Sequence, residues 1–366
     1  MVRAIMTRHQ NLRRVALGVL ALSTAFAFHD RAVAQTGADP GPSPNYAGWR
    51  TTVLEENDSL YFNSDKHYTQ GLRLSFLSPT LKPGGWTDGV FDFVGNIPTV
   101  FADGAQSQRR VSWFFGQSIF TPKNLDIKPP DPRDRPYAGW LYVGPSLLQE
   151  TDGNQLENFE IEAGVIGPGA LGRQVQNDFH QFIGIHEAQG WSNQLQNEPG
   201  GVLAYDRLWR FGVPFLHWED GGVQDGVDIV PQLGATVGNV FDYVQAGAQL
   251  RIGHHLETDY GPIRVRPSIS GTDYFNSSHL GDDIGWYIFA GAGGRAVARN
   301  IFLDGNSFRT SPHVEHKTFV ADLQGGLSVY WSDHLRADFS AVRRTDEFVG
   351  QRAPDVIGTA ALAFSW

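Results

Sequence analysis

Along much of this chain apolar and polar residues alternate one for one. At 227–237, Val227, Ile229, Leu233, Ala235 and Val237 share one face of an extended segment, and Asp228, Gln232 and Thr236 share the other. At 244–252, Val244, Ala246, Ala248, Leu250 and Ile252 oppose Gln245, Gln249 and Arg251. Phe319, Ala321, Leu323, Leu327, Val329 and Trp331 alternate with Asp322, Gln324, Ser328 and Tyr330. Leu335, Ala337, Phe339 and Ala341 then oppose Arg336, Asp338 and Ser340. A period of two belongs to a strand whose faces meet different surroundings. Charge on one face over about ten residues, with aromatics at strand ends, is the pattern of a membrane barrel wall around a polar lumen.

Such runs predict about twelve strands, near 48–57, 67–78, 110–119, 138–149, 157–166, 204–217, 227–238, 243–252, 286–298, 316–331, 334–344 and 355–366. An even count suits a bacterial single-chain barrel. With the N-terminus in the periplasm, the short Ser332–Asp333 turn falls on the periplasmic side. The segments 58–66, 120–137, 167–203, 299–315 and 345–354 then fall outside. Two long connections, 79–109 and 253–285, fall on the periplasmic side against the usual pattern of short turns there. In the first, VFDFVGNIPTVF reads as a short interfacial helix. The chain ends on Ala360, Leu362, Phe364 and Trp366 on one face, similar to the aromatic-terminated last strand of outer-membrane barrels.

The N-terminus adds export. MVRAIMTRHQNLRR is basic, VALGVLALSTAFAF is apolar, and Ala32-Val33-Ala34 supplies small residues for cleavage, so 1–34 reads as a signal peptide. Residues 35–45 are a Pro/Gly linker, and 46–366 form the barrel domain. No cysteine is present, so an exported chain of this kind draws nothing from disulfides. A net charge of −10 argues against a nucleic-acid partner. Beyond the leader no segment has the apolar length of a membrane helix, which leaves a closed barrel as the way to span lipid.

Candidate chemistry gathers in the outward segments. Asn57 and Asp58 end the first strand, and Thr69 lies near the start of the second. Oxygen donors of this kind suit a hard cation such as Ca²⁺, although an Asn-Asp pair is also an ordinary turn former. The second outward segment carries Lys123, Lys128, Arg133 and Arg135, either a solvated Pro-rich loop or a basic edge for phosphate or sugar head groups. The third holds His180. With 175–185 helical, Gln176, His180 and Gly184 share one face at i, i+4 spacing. A neutral histidine is a suitable general base near pH 7, whereas a lone histidine is more often structural.

The combination of END…HYTQG, DRPYAGWL, VIGPGALGRQVQNDFH and GWSNQLQNEPG resembles the outer-membrane lipid A 3′-O-deacylase family, most strongly from Asn57 to Pro199. The resemblance implies an all-β, transmembrane antiparallel barrel of about twelve strands with a short helix in an outward loop. It implies Ca²⁺-dependent hydrolysis of the ester-linked acyl group at the 3′ position of lipid A, at the extracellular rim of the outer membrane. By motif, His180 matches the water-activating base, Gln176 the glutamine before it, and Asn57, Asp58 and Thr69 the rim residues. Arg135 aligns through DRPYAG as a substrate contact, with Lys123 and Lys128 beside it in the same loop. The family's acidic position six residues after the histidine is His186 here; Glu187 follows and is the candidate to take over as a metal ligand. Two other readings remain open, a barrel phospholipase on glycerophospholipids and a non-catalytic porin.

Several features get plainer readings. His67 is a rim residue, and His254 and His255 are solvated, although paired histidines can bind a metal. The run Gly291–Gly294 marks close strand packing rather than a phosphate loop. No Ser stands in a G-x-S-x-G context, so a serine hydrolase has no motif behind it.

Overall fold

The computed structural model describes residues 48–366 apart from 63–65, 98–99, 102–106, 221–222, 269–270, 278–279, 281–282 and 333. The signal peptide at 1–34 and the linker at 35–45 lie outside the described residues. By internal contacts the chain divides into two units, the barrel (Asn45–Gly172 with Gln189–Trp366) and a second unit whose described part is Arg173–Ala188.

The barrel is built from β1 (Arg50–Asn57), β2 (His67–Leu77), β3 (Ser107–Thr121), β4 (Ala138–Thr151), β5 (Gln155–Ile166) and β6 (Glu198–Trp209). It continues through β7 (Phe211–Asp220), β8 (Val223–Gly238), β9 (Phe241–His254), β10 (Ile284–Asn300), β11 (Phe319–Trp331), β12 (Leu335–Arg344) and β13 (Asp355–Ser365). Neighbours in sequence pair antiparallel, β1 pairs with β13, and β6 pairs with β8, which closes the sheet. In lipid an unpaired strand edge has no water to satisfy it, so closure is obligatory. No described helix is long and apolar enough to cross a membrane.

The predicted strand 204–217 is in fact β6 and β7, and it begins earlier, at Glu198. Leu208 faces Gln232 and Phe211 faces Ile229, so the chain crosses the break along β8 without a change of register, which shifts only beyond Gly212. β6 and β7 count as one stave, and the barrel has the expected twelve. The break is Arg210. Its buried guanidinium donates inward to the carbonyls of Glu257 (2.7 Å) and Asp259 (2.9 Å).

The alternation maps onto the wall as expected. Leu323, Leu327, Val329 and Trp331 of β11 are exposed, while Asp322, Gln324, Ser328 and Tyr330 are buried. Along β9, Val244, Leu250 and Ile252 are exposed and Gln245, Gln249 and Arg251 buried. The protein is apolar outside and charged inside, the inverse of a water-soluble sandwich. The inward charges are paired: Arg295 (3.0 Å) and Arg344 (3.0 Å) both meet Asp322, and Arg251 bridges Asp228 and Asp259. A buried charge is tolerated only with such partners.

The connection 253–285 accounts for much of the lumen. Almost every described residue from His255 to Asn276 is buried. Arg264 donates to Glu56 (2.7 Å), Arg266 pairs with Glu160 (3.2 Å) and with Asp206, and Tyr260 and Tyr274 both reach Glu150. Asp273 accepts from Ser75 (2.8 Å) and Ser112 (2.9 Å) on the wall. Its charges and hydroxyls make a loop pattern in sequence, yet they match the polar inner wall and form a plug.

The other long connection lies on the outer wall. A helix spans Trp86–Val94, starting four residues before the expected VFDFV segment. Phe91 and Val94 pack in one cluster with Leu147 and Phe159, which alternate with the inward positions of β4 and β5. Trp86, Val90 and Phe93 remain exposed at i, i+4, i+7 spacing, an amphipathic arrangement suited to the membrane interface. Arg109 fastens the helix to β3 through Asp88 (3.2 Å) and Asp92 (3.0 Å).

The inside-out wall makes opposite predictions for neighbouring residues. Leu323→Arg should destabilise the barrel by about 2–4 kcal/mol by placing charge in lipid. Asp322→Ala should cost about 3–5 kcal/mol by leaving two buried guanidiniums without their carboxylate. Urea unfolding in phospholipid vesicles measures both, and Asp322→Ala alone should have no dependence on bilayer thickness.

Candidate active site

One end of the barrel, here the loop end, carries Asn57, His67, Thr121, Arg344 and Asp355; the other, the turn end, carries Ser332 and both ends of the closing pair β1–β13 nearest the termini. At the loop end Asn57 forms a tight Asx turn. Its Oδ1 accepts from the Ser59 amide (2.7 Å) and the Ser59 hydroxyl (2.6 Å), and its side chain also meets the Glu55 carboxylate. Asp58 is buried, and one carboxylate oxygen accepts from the Lys66 amide across the turn. Thr69 is the extra residue of a bulge between β2 and β3, and its hydroxyl meets that of Thr121 (2.7 Å). A bulge re-aims a side chain that a regular ladder would direct elsewhere.

His67 is a rim residue, as expected, but it is also a buried junction. Its Nδ1 lies 2.8 Å from Asp355 and its Nε2 lies 3.5 Å from Asp134. It adopts a left-handed backbone, φ 65°, to face both. The first motif, ending at HYTQG, is thereby tied to DRPYAGWL. Arg135 of that motif is fully buried, pairs with Glu347 (3.3 Å), lies over the Phe120 ring and leaves Nε and Nη2 without a hydrogen bond. Lys123 and Lys128 stay exposed. The basic loop thus separates into one interior cation and two surface ones.

Electrostatics bind this rim together. Burial works against the Asp134 carboxylate, but the hydrogen bond from His67 holds its pKa below the ordinary value. Burial likewise opposes ionised Glu347, and the guanidiniums of Arg344 and Arg135 hold it low.

The connection between β5 and β6 carries His180. Its flanks are anchored in the barrel unit: Gln117 donates to the Ala170 carbonyl (2.6 Å), Asn197 accepts from the Gly169 amide (2.6 Å), and the Gln189 amide donates to Leu125 (2.8 Å). Trp191 of the GWSN segment is buried against Tyr137, ring centroids 4.9 Å apart, which joins two more of the motifs.

Within Arg173–Ala188 the helix begins at Gly172 and ends at Ile183. Gly184 terminates it with φ 75°, a conformation that favours glycine. The Gly184 amide donates to Gln181 (3.2 Å) and the Ile185 amide to His180 (2.8 Å), the two bonds of a Schellman motif. The reversal brings the His186 carbonyl to 2.8 Å from His180 Nδ1. A carbonyl can only accept, so Nδ1 carries the proton and Nε2 the lone pair. Asn177 holds the same turn, accepting from the Ala188 amide (3.1 Å) and reaching Glu187 (3.5 Å). Gln176, Asn177 and His180 are buried, a polar face on an amphipathic helix; Glu187 is exposed. Sequence reasoning named His180 and Gln176, which the structure buries, but not Asn177 or the carbonyl that orients the imidazole. It also missed the acids around His67, which stand far from it in sequence.

A closed antiparallel barrel with an apolar outer wall and a charged, plugged lumen is an outer-membrane β-barrel protein. The chain belongs to the family described as outer membrane protein LpxR, which it matches over residues 19–366. Among solved structures it is similar to LpxR from Salmonella typhimurium, at 20% identity and a TM-score of 0.65, covering 87% of this chain and 100% of that one. It is less similar to the beta domain of the Bordetella autotransporter BrkA, at 9% identity and a TM-score of 0.41, covering 88% of this chain and 100% of that one. No curated protein matches the chain.

The depressed carboxylates give the rim a pH signature. Groups whose folded pKa lies below the unfolded value contribute stability above the unfolded pKa, and that contribution is lost as pH falls through the folded one. Melting temperature should therefore fall as pH drops from about 5 toward 3. Glu347→Gln should flatten part of that slope, which a series of thermal melts in detergent would reveal.

Proposed function

We propose that this barrel hydrolyses the 3′-linked acyl ester of lipid A at the extracellular rim, with His180 as general base. The observation carrying this reading is the buried His180 whose Nδ1 is fixed by a backbone carbonyl, which leaves Nε2 as the basic atom. Membership of the LpxR family supports the substrate class. The porin alternative is disfavoured by the plug, whose charges engage the inner wall from Glu56 to Asp322 through Arg264, Arg266 and the Arg344–Pro267 contact. Short turns belong in the periplasm and long loops outside, which orients the loop end outward.

In the proposed reaction Nε2 of His180 accepts a proton from water as its oxygen attacks the ester carbonyl carbon. The tetrahedral centre then collapses, breaking the bond to the sugar oxygen, which takes the proton from the imidazolium and leaves as the 3′-hydroxyl. The products are a free fatty acid and lipid A lacking that chain. Asn57, its Oδ1 held by Ser59, is the proposed rim residue that orients the carbonyl. Gln176 precedes His180 by one turn and supports the imidazole's placement. Thr69, Lys123, Lys128 and Arg135 are the proposed substrate-side residues, the lysines meeting head-group charge and Arg135 acting from the interior.

The donor set at the rim fits calcium. Asp58 supplies a buried carboxylate, and its neighbours offer amide, hydroxyl and main-chain oxygens, the hard donors that Ca²⁺ takes. Asp58 would hold the ion, which when bound would supply positive charge to the developing oxyanion.

Mass spectrometry of lipid A from Gram-negative cells expressing the chain tests this reading. Wild type should remove the 3′ acyl mass, and His180→Ala should lower the rate about 10²–10⁴-fold without loss of folded barrel. Activity in detergent should vanish in chelator and return with Ca²⁺. Unchanged lipid A with folded wild type and Ca²⁺ present would refute the reading, and release of fatty acid from glycerophospholipid instead would favour the phospholipase.

A further inference from the structure

At the turn end, far along the barrel from the loop-end residues, two histidines and a carboxylate converge. His254 closes β9, His255 opens the plug, and Asp283 immediately precedes β10. Consecutive residues of a strand point to opposite faces. His255 escapes this rule by taking a left-handed backbone, φ 60°, which turns both imidazoles to one side with ring centroids 4.3 Å apart. The strain is held by Tyr330, whose hydroxyl donates to the carbonyls of His255 (2.7 Å) and His254 (3.2 Å). Of the pair expected to be solvated, His255 is almost completely buried.

The outer nitrogens are committed. His254 Nδ1 meets Asp225 of β8, and His255 Nδ1 meets Glu257 (2.9 Å). A carboxylate accepts, so each Nδ1 bears a proton, and in the neutral imidazole each Nε2 presents a lone pair. Both Nε2 atoms point at the same oxygen, Asp283 Oδ2, each at 3.4 Å. Protonated Nε2 atoms would close on that oxygen to about 2.7–2.9 Å; at 3.4 Å the two edges instead leave room for a shared cation between lone pairs and anionic oxygen. Ligands about 2.0–2.1 Å from a tetrahedral zinc ion are separated by about 3.3–3.4 Å, which is the spacing seen for both imidazole–carboxylate edges. All three ligand atoms lie within 4.8 Å of one another.

We propose that His254, His255 and Asp283 form a site for a divalent transition metal of the zinc class. Imidazole nitrogen and one carboxylate select such an ion over Ca²⁺ or Mg²⁺, which take oxygen donors. Asp225 and Glu257 are the supporting carboxylates that fix the imidazole tautomers, the usual second layer of a metal centre. His254 and Asp283 are partly exposed, so the ion can enter from water and keep a solvent ligand. Its position ties β8, β9, the first turn of the plug and the start of β10 into one knot. The role that follows is structural: the ion fastens the root of the plug to the barrel.

The test uses the full chain purified in detergent, stripped with chelator and titrated with zinc chloride under equilibrium dialysis. The expected result is one zinc per chain at micromolar affinity or tighter, with a rise in melting temperature. His254→Ala and Asp283→Asn should each weaken binding at least 10-fold and abolish the thermal shift, while His313→Ala, at an exposed histidine elsewhere, should change neither. Heat-modifiable migration on gels establishes that each variant is folded. Cobalt(II) in place of zinc should give the intense visible bands of tetrahedral coordination in wild type only. Zinc bound equally by wild type and Asp283→Asn, or no zinc bound by folded wild type, would overturn the proposal; the second outcome would identify the cluster as protonated histidines salt-bridged to acids.

Discussion

Everything in this protein follows from the cost of an unpaired backbone group in lipid. That cost closes the sheet, through β1 with β13 and β6 with β8, and closure turns one face of every strand inward. With lipid outside, the inner face becomes the place for charge. Beside a buried aromatic cluster that includes Phe114, Phe120, Trp140 and Phe302, the interior holds guanidinium–carboxylate pairs that depend on both partners. Asp322 between Arg295 and Arg344, and Asp259 between Arg251 and Arg336, carry this logic along the lumen.

The plug extends the same constraint from wall to interior. Residues 255–276 have too few apolar side chains to fold alone, but they satisfy inward-facing acids and are satisfied by them. Arg264 and Arg266 carry the contact up to Glu56, beside Asn57, so the floor of the loop-end rim is made by a segment that enters from the opposite mouth. This gives a physical link between the two ends: the knot around His254 and His255 holds the base of the segment whose tip supports the rim. The rim itself is closed by His67, which bonds to Asp355 and Asp134 and so connects the second and last strands to the second loop.

The segment bearing His180 works by different physics. Its buried face is polar, and its geometry comes from backbone capping: a positive-φ glycine ends the helix, a Schellman pair reverses the chain, and the returning carbonyl fixes the imidazole tautomer. A main-chain oxygen orients the imidazole, so the residue type at His186 matters less than the turn that presents it.

The sequence by itself determined the class and the strand number within one break. Period-two alternation is a local property, and a membrane wall writes it directly into neighbouring residues: Leu323 and Asp322 already differ in fate before any fold is known. The i, i+4 spacing of Gln176 and His180 made the loop helix legible for the same reason, although it runs from Gly172 to Ile183 rather than 175–185 and Gly184 ends it instead of lying on its face. Tertiary structure decided what depends on partners distant in the chain. Arg210 breaks a strand because the plug's carbonyls wait for it, and the 253–285 connection became an interior only because an acidic wall surrounds it. Trp86–Val94 found its face on the outer wall through Leu147 and Phe159, and His67 found Asp355 across 288 positions. His254 and His255 looked like a solvated pair because a strand sends adjacent side chains apart, and only the left-handed turn at His255 brings them to one point.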